Sequence, residues 1–428
     1  MERKPDRIEE FRQLKEEIRG SQDYLIVGID VAKDRHHAFL GTSTGKTLLK
    51  RLIFENNMEG FEKLLTQVEA IKVQHALSKV VFGFEPTGNY HKPIGMFLVK
   101  WGFNVVLVSG SAVKNNRELL DGRWDKHDTK CAANIADLIS QGKCLYYESP
   151  SATISNLRDL LSLRKRFKKE EHSLKMRIRN GLIAKHFPEL DKYYHQCESE
   201  NLAIVRWCLD PRIIADMEFD RFLQIVTSRE RGAAQRRRLA AIWNMAGDSI
   251  GCLTGEASEF EAKVLVNKLK QVRDYILETE KLIEIVSRRF VEYEYLLTIP
   301  GFGPYISSKV IATISNPYRF ENTSQVLKLA GYDLSADRSG KNSDKAIPVI
   351  SKKGNSDLRY ALYQAALVAS TRNSDFILYY TNMLRGRERE KGIKTKMRVK
   401  LAAKLLVVAW TLMKKKESFN PRLMYASG

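Results

Sequence analysis

The sequence predicts an α/β domain followed by an all-helical remainder, and three observations carry that expectation. Short β-branched runs alternate with amphipathic stretches over 23–150, strand patterning almost disappears over 151–294, and helices punctuated by Gly and Pro fill 295–428. The 428 residues exceed the usual size of one hydrophobic core, so several domains are expected, and a hydrophobic content of 43% is ample to fold them.

Taken in order, residues 1–22 are charged throughout and read as an N-terminal extension, without the apolar stretch or small-residue cleavage site of a secretory signal. YLIVGID (24–30) is short, apolar and β-branched, and it ends in a carboxylate where a strand gives way to a loop. HHAFL (36–40) and TLLKRLIF (47–54), separated by the turn signal GTSTGK, complete a three-stranded antiparallel meander. A helix over 58–73, a strand VVFGFE (80–85), a helix over 92–101, a strand NVVLVS (104–109) and a helix over 127–141 follow. The order βββαβαβα is that of an RNase H-like fold, and it occupies 23–150.

The region 151–294 reads as helical. LSLRKRFKKEEHSLKMRIRNGLIAKHF is a basic helix-former that runs into a break at Pro188. Leu265, Leu269, Val272, Ile276, Thr279, Ile283, Val286 and Phe290 recur at alternating spacings of four and three, a heptad seam. Such a seam predicts a coiled-coil hairpin or an intersubunit helix; one long helix packed on its own domain is the alternative. At 295–428 a further domain is expected. It opens on LLTIPGFGPYISSKVIATI, where Pro300, Gly301, Gly303 and Pro304 interrupt the helical pattern in the manner of a helix-hairpin-helix. A polar loop over 333–343, a helix over 357–370 and a basic helix over 391–416 complete the chain.

A formal net charge of +20 creates a field that would draw polyanions to the surface, which makes nucleic acid the expected partner. No apolar run approaches the roughly 20 residues that span a bilayer, so no membrane association and a cytoplasmic protein are expected. The five cysteines are scattered, with no C-x-x-C and no histidine pair at metal spacing, which excludes a disulfide scaffold and a structural zinc.

Asp30 closes the first strand and Glu85 the fourth, and in an RNase H-like sheet those strand ends are neighbours. Asp128 opens the helix expected after the fifth strand. Each alone could be an ordinary loop-end acid or a helix cap. Three at matching positions suit a site for Mg2+ or Mn2+, because hard cations take oxygen ligands and phosphodiester chemistry uses such ions to hold the attacking and leaving oxygens.

GIDVAKDRHHAFL, FEPTGNYHKPIGMFL and KHDTKCAANIADLISQGK resemble the three carboxylate motifs of the DEDD transposases of the insertion sequence 110 family, which includes the Piv-type DNA invertases. LLTIPGFGPYISSKVIATI, RFENTSQVLKLAGYDLSADRSGK and ISKKGNSDLRYALYQAALVAS resemble that family's second domain. The resemblance implies a RuvC-like catalytic domain, a helical region and a transposase domain with an essential serine in an S-G motif. It also implies several subunits assembled around DNA, as a dimer or tetramer, and a structured non-coding guide RNA. The family's third motif ends D-x-x-D, whereas here its second position is Cys131, a poor ligand for Mg2+. Asp137 falls on the far side of that helix, so Asp125 or Cys131 is left for the fourth corner.

The S-G motif falls on Ser339 and Gly340 in SADRSGKNSDK. A serine hydroxyl can attack a phosphodiester and hold the DNA as a phosphoserine, and Arg338, Lys341 and Lys345 would stabilise the charge that builds on phosphorus. Lys352, Lys353 and Arg359, and Arg164, Arg166 and Lys169 in the basic helix, are the expected contacts to nucleic-acid backbone. Two other readings stay open: an RNase H-fold junction-resolving nuclease that needs the carboxylates but not Ser339, and a nucleic-acid-binding protein with a decayed site. A sugar-kinase-like fold would share GID at a strand end, but no later Gly-rich phosphate loops accompany it and the charge opposes it.

Overall fold

The computed structural model describes residues 7–121, 128–147, 150–195, 198–228, 232–335 and 349–424. The chain forms two compact units, Met1–Ser151 and Ala152–Gly428. The helical region expected over 151–294 and the domain expected over 295–428 thus lie together in the second unit.

The first unit runs α1 (Arg7–Gly20), β1 (Tyr24–Asp30), β2 (Arg35–Thr42), β3 (Thr47–Glu55), α2 (Met58–Gln74), β4 (Lys79–Phe84), α3 (His91–Lys100), β5 (Asn104–Leu107), α4 (Gly110–Asp121), α5 (Asp128–Ser140) and β6 (Leu145–Tyr146). Its sheet has the order β3-β2-β1-β4-β5-β6. The β1–β2–β3 meander is antiparallel, β1–β4 and β4–β5 are parallel, and β6 returns antiparallel to β5.

The unbroken apolar run of β1 follows from cover on both faces of the sheet. Leu25, Val27 and Ile29 pack with Phe82 and Phe84 against Leu64 and Val68 of α2 and Ile94 and Leu98 of α3. Tyr24 and Ile26, with Val81 and Val106, face Ile18 of α1, Val113 of α4 and Ile135 and Ile139 of α5. Gly28 lies on this second face by strand alternation. A Cβ there would stand 2.3 Å from the Ala132 carbonyl oxygen and 2.6 Å from the Ala136 nitrogen, so α5 rests directly on the β1 backbone. Gly28→Ala is therefore expected to push α5 away and cost about 1–3 kcal/mol of stability. Calorimetry checks this, and an unchanged unfolding midpoint would contradict the close approach.

Two elements depart from expectation. The charged N-terminal extension contains a helix, α1, whose Ile18 is fully buried, with Phe11 and Leu14 against the same cluster. Arg19 donates to the Gln141 carbonyl at the end of α5, and Glu17 accepts from Tyr24 and Lys79. Its apolar positions, spaced three and four apart, are outnumbered by charge. Helix α4 also intervenes between β5 and α5, so the helix opening at Asp128 does not directly follow the fifth strand. Only Val113 gives α4 a wholly buried apolar anchor, because its other buried contact is the amide of Asn116.

The second unit is helical: α6 (Ala152–Arg177) continues through a π-helical turn (Ile178–Ile183) into α7 (Ala184–His186), followed by α8 (Glu198–Trp207), α9 (Pro211–Ala215), α10 (Phe219–Val226), α11 (Ala233–Ala246), α12 (Glu256–Ser287), α13 (Glu292–Leu297), α14 (Pro304–Ile314) and α15 (Thr323–Ala330). A short β7–β8 ladder (Leu334–Ser335 and Val349–Ile350) precedes α16 (Ser356–Arg372), α17 (Ser374–Leu384) and α18 (Ile393–Lys415). Helices α6 and α12 run antiparallel, as the pairs Arg164–Glu280, Arg273–Glu171 and Arg177–Glu261 fix.

The heptad seam is the buried face of α12, from Leu265 through Thr279 to Val286. Its first half packs with Leu174, Ile178 and the α8–α11 helices, and its second half with Ile154, Leu157 and α13–α18. The seam is thus used inside the chain, as a helical hairpin, and the intersubunit alternative loses its basis in this pattern. Thr279, its polar member, donates to the Tyr275 carbonyl one turn back at 2.6 Å. No helix among the described residues is long and apolar enough to cross a membrane.

Candidate carboxylate site and serine loop

The parallel register of β1 and β4 ends at Ile29 opposite Phe84, which leaves Asp30 and Glu85 as the next residue on each strand. Alternation decides their direction. Ile26 and Gly28 precede Asp30, and Val81 and Gly83 precede Glu85, on the face covered by α5. Both carboxylates therefore start from the same face of neighbouring strand ends, and both are half-buried. Gly110, at the start of α4, leaves room for one of them: a Cβ there would fall 2.6 Å from Glu85 Oε1.

Asp128 is brought to the same region by α5. Its Oδ2 lies 3.3 Å from Nε2 of His37, and His37 is paired in register with Asp30 across the β1–β2 ladder. Sequence reasoning passed over His37. The signal that could have found it is the pair His36–His37, in which strand alternation turns one ring into the core and the other toward the carboxylates. His36 is the core member: it is fully buried beside Phe54 and Phe61, and burial holds its imidazole below the ordinary range.

Cys131, one turn beyond Asp128, is 5% exposed and belongs to the packed side of α5. Asp137 points elsewhere, accepting from the amides of Asn116 at 2.7 Å and Gln141 at 2.8 Å. Asp125 lies outside the described residues. The oxygen donors suit Mg2+ or Mn2+ in kind. As they stand, no three His, Cys, Asp or Glu side chains among the described residues converge closely enough to hold an ion. Asp128, 65% exposed, is the donor with most freedom to move inward.

Arg338, Ser339, Lys341 and Lys345 lie outside the described residues. The segment that carries them leaves from Ser335 and returns at Val349, a pair of the β7–β8 ladder. That base is braced. The Ser351 nitrogen donates to the Asp333 carbonyl at 2.8 Å, and Arg359 donates to the Ala330 carbonyl at 2.8 Å. Tyr332 is buried, and burial pushes its phenol well above the ordinary range.

The expected backbone-contacting cations divide into two groups. Arg164 is engaged with Glu280 and lies over the Tyr305 ring at 3.9 Å, and Arg359 is spent on main-chain carbonyls. Arg166, Lys169, Lys352 and Lys353 are exposed. Asp357 tempers the charge of the basic turn: burial works against its ionisation, but Lys165 at 2.8 Å and Lys309 at 3.5 Å hold its carboxyl below the usual range.

Comparison with known proteins gives the class of this chain, an α/β unit with strand-end carboxylates followed by a helical unit, as a DNA transposase. A DEDD family model of the insertion sequence 110 type, described as a transposase, matches residues 27–188, and the model described as transposase IS116/IS110/IS902 family matches residues 293–381. The chain belongs to the insertion sequence 110 family of transposases. A distant relative is an uncharacterized 44.8 kDa protein of insertion element IS116 from Streptomyces clavuligerus, 22% identical over 403 residues, which are 93% of this chain and 97% of that protein.

Proposed function

We propose that this transposase cuts and joins the DNA of its mobile element with an RNase H-like carboxylate site of Asp30, Glu85 and Asp128 and with Ser339 as nucleophile. The observation that carries the reading is the common face of Asp30 and Glu85 at adjacent strand ends, with Asp128 contacting the residue opposite Asp30. Asp30, Glu85 and Asp128 would hold Mg2+ or Mn2+, and an ion there would withdraw charge from the phosphoryl oxygens. Ser339 Oγ forms a bond to phosphorus as the bond to the leaving DNA oxygen breaks, and the serine proton is balanced by the one that oxygen takes up as it departs as a free hydroxyl. A DNA hydroxyl then displaces the serine, so one phosphoester is exchanged for another and none is hydrolysed. Arg338, Lys341 and Lys345 neutralise the charge on phosphorus. Exposed Arg166, Lys169, Lys352 and Lys353 bind backbone phosphates.

Cys131 supports an incomplete acid set whose fourth corner falls to Asp125 or stays open. Cys131→Asp is expected to lower the thermal midpoint in chelator, because placing a carboxylate in the buried side of α5 costs about 1–3 kcal/mol. Added Mn2+ should recover some of that loss. A destabilisation indifferent to Mn2+ would place position 131 away from the ion.

The partner of the basic surface is DNA together with a structured non-coding RNA, held by a dimer or tetramer in the cytoplasm. Purification of the full chain from cells carrying its element, followed by sequencing of bound nucleic acid, tests the guide. A single defined RNA is expected; a random nucleic-acid population would contradict guidance and favour direct readout by the protein.

A further inference from the structure

Asp128 stands at the start of α5 with most of its side chain in solvent. Burial therefore does little to restrict its carboxylate, and an exposed Asp samples several rotamers, some turned away from the sheet. His37 is placed differently. Its side chain is only 13% exposed, it sits inside β2, and it faces α5, since Ala38 and Leu40 fill the opposite face while Phe39 packs on the same side. Ladder pairing sets it directly beside Asp30.

Its two ring nitrogens are unequal. Nδ1 is buried and has no hydrogen-bond partner among the described residues, whereas Nε2 lies 3.3 Å from Asp128 Oδ2, an ion-pair contact that a small turn of the exposed Asp128 side chain would align as a hydrogen bond. With no acceptor at Nδ1, the tautomer that satisfies the carboxylate carries its proton on Nε2.

We propose that His37 is a positioning residue of the carboxylate site, whose Nε2–H holds Asp128 beside the end of β1. The inference rests on the reading of Asp30, Glu85 and Asp128 as metal ligands. An exposed contact of this kind adds little to stability. Its effect lies in keeping a ligand carboxylate turned inward before the ion arrives, and hydrogen-bond partners of ligands are worth about 10- to 100-fold in metal affinity.

Mn2+ binding to the full-length protein, without DNA and followed by electron paramagnetic resonance, tests this. His37→Phe keeps a planar ring suited to a strand and removes the donor. It should weaken Mn2+ binding by about 10- to 100-fold with a thermal midpoint close to the parent's. His37→Gln, which restores an N–H donor of similar reach, should recover most of the affinity. Parental affinity in His37→Phe would overturn the proposal, as would a loss that His37→Gln does not reverse. Asp30→Asn separates the two claims: if the parent binds no Mn2+ that depends on Asp30, the metal reading itself fails and the role of His37 falls with it.

Discussion

Asp30→Asn is expected to reduce strand cleavage by about a thousandfold or more, while leaving binding to element DNA close to that of the parent. Asn preserves the shape of the side chain and removes its charge. Asp30 sits half-buried at the end of β1, outside both core clusters of the sheet, so the fold should tolerate the change. In the proposed chemistry several kcal/mol of transition-state charge stabilisation would depend on an ion held at this strand end, and each 1.36 kcal/mol is a factor of ten in rate. Binding should survive because it draws on the excess of 71 Lys and Arg over 51 Asp and Glu, a field that one carboxylate barely alters. A cleavage assay on element-end DNA beside a binding titration checks both halves. Undiminished cleavage would remove Asp30 from the site.

Ser339→Ala is expected to abolish strand exchange below detection, again with DNA binding retained. The nucleophile has no substitute in the proposed chemistry, because without Oγ no covalent intermediate conserves the phosphoester. The β7–β8 ladder is held by main-chain pairing and Arg359 by the Ala330 carbonyl, so the surrounding helices are expected to keep their fold. Ser343→Ala, altering a nearby serine not followed by glycine, should remain active. Exchange by Ser339→Ala would assign the chemistry to water or to another residue.

Much of the sheet was legible because its strands are short apolar runs closed by turn signals, and because Asp30 ends β1 while Glu85 directly follows β4, which stops at Phe84. Residues 24–30 match β1 to the residue, and the helices after β3 and β4 fall within a residue of expectation. Helices α1 and α4 escaped for a common reason: each buries a narrow apolar edge under a largely charged or amide-bearing sequence. The heptad seam was correct as a buried helical face, but periodicity cannot say whether the surface facing it belongs to the same chain. Here α6 and the other helices of the same unit supply that surface. His37 was hard to read because the pair His36–His37 shows only that one ring leaves the core, whereas its place beside Asp30, seven positions earlier, follows from strand register. Ser339, conversely, is invisible to packing arguments, since a polar Gly/Lys loop has no periodicity to read.

Covalent trapping tests whether the carboxylates and Ser339 act together on one phosphodiester. Full-length protein is incubated with Mg2+ and an element-end duplex carrying a nick that prevents rejoining, then denatured and digested for peptide mass analysis. A DNA adduct on the peptide containing Ser339 is expected from the parent, none from Ser339→Ala and far less from Asp30→Asn. Cleavage of the duplex by the parent with no protein–DNA adduct would contradict that expectation, and would mark the protein as a hydrolytic nuclease.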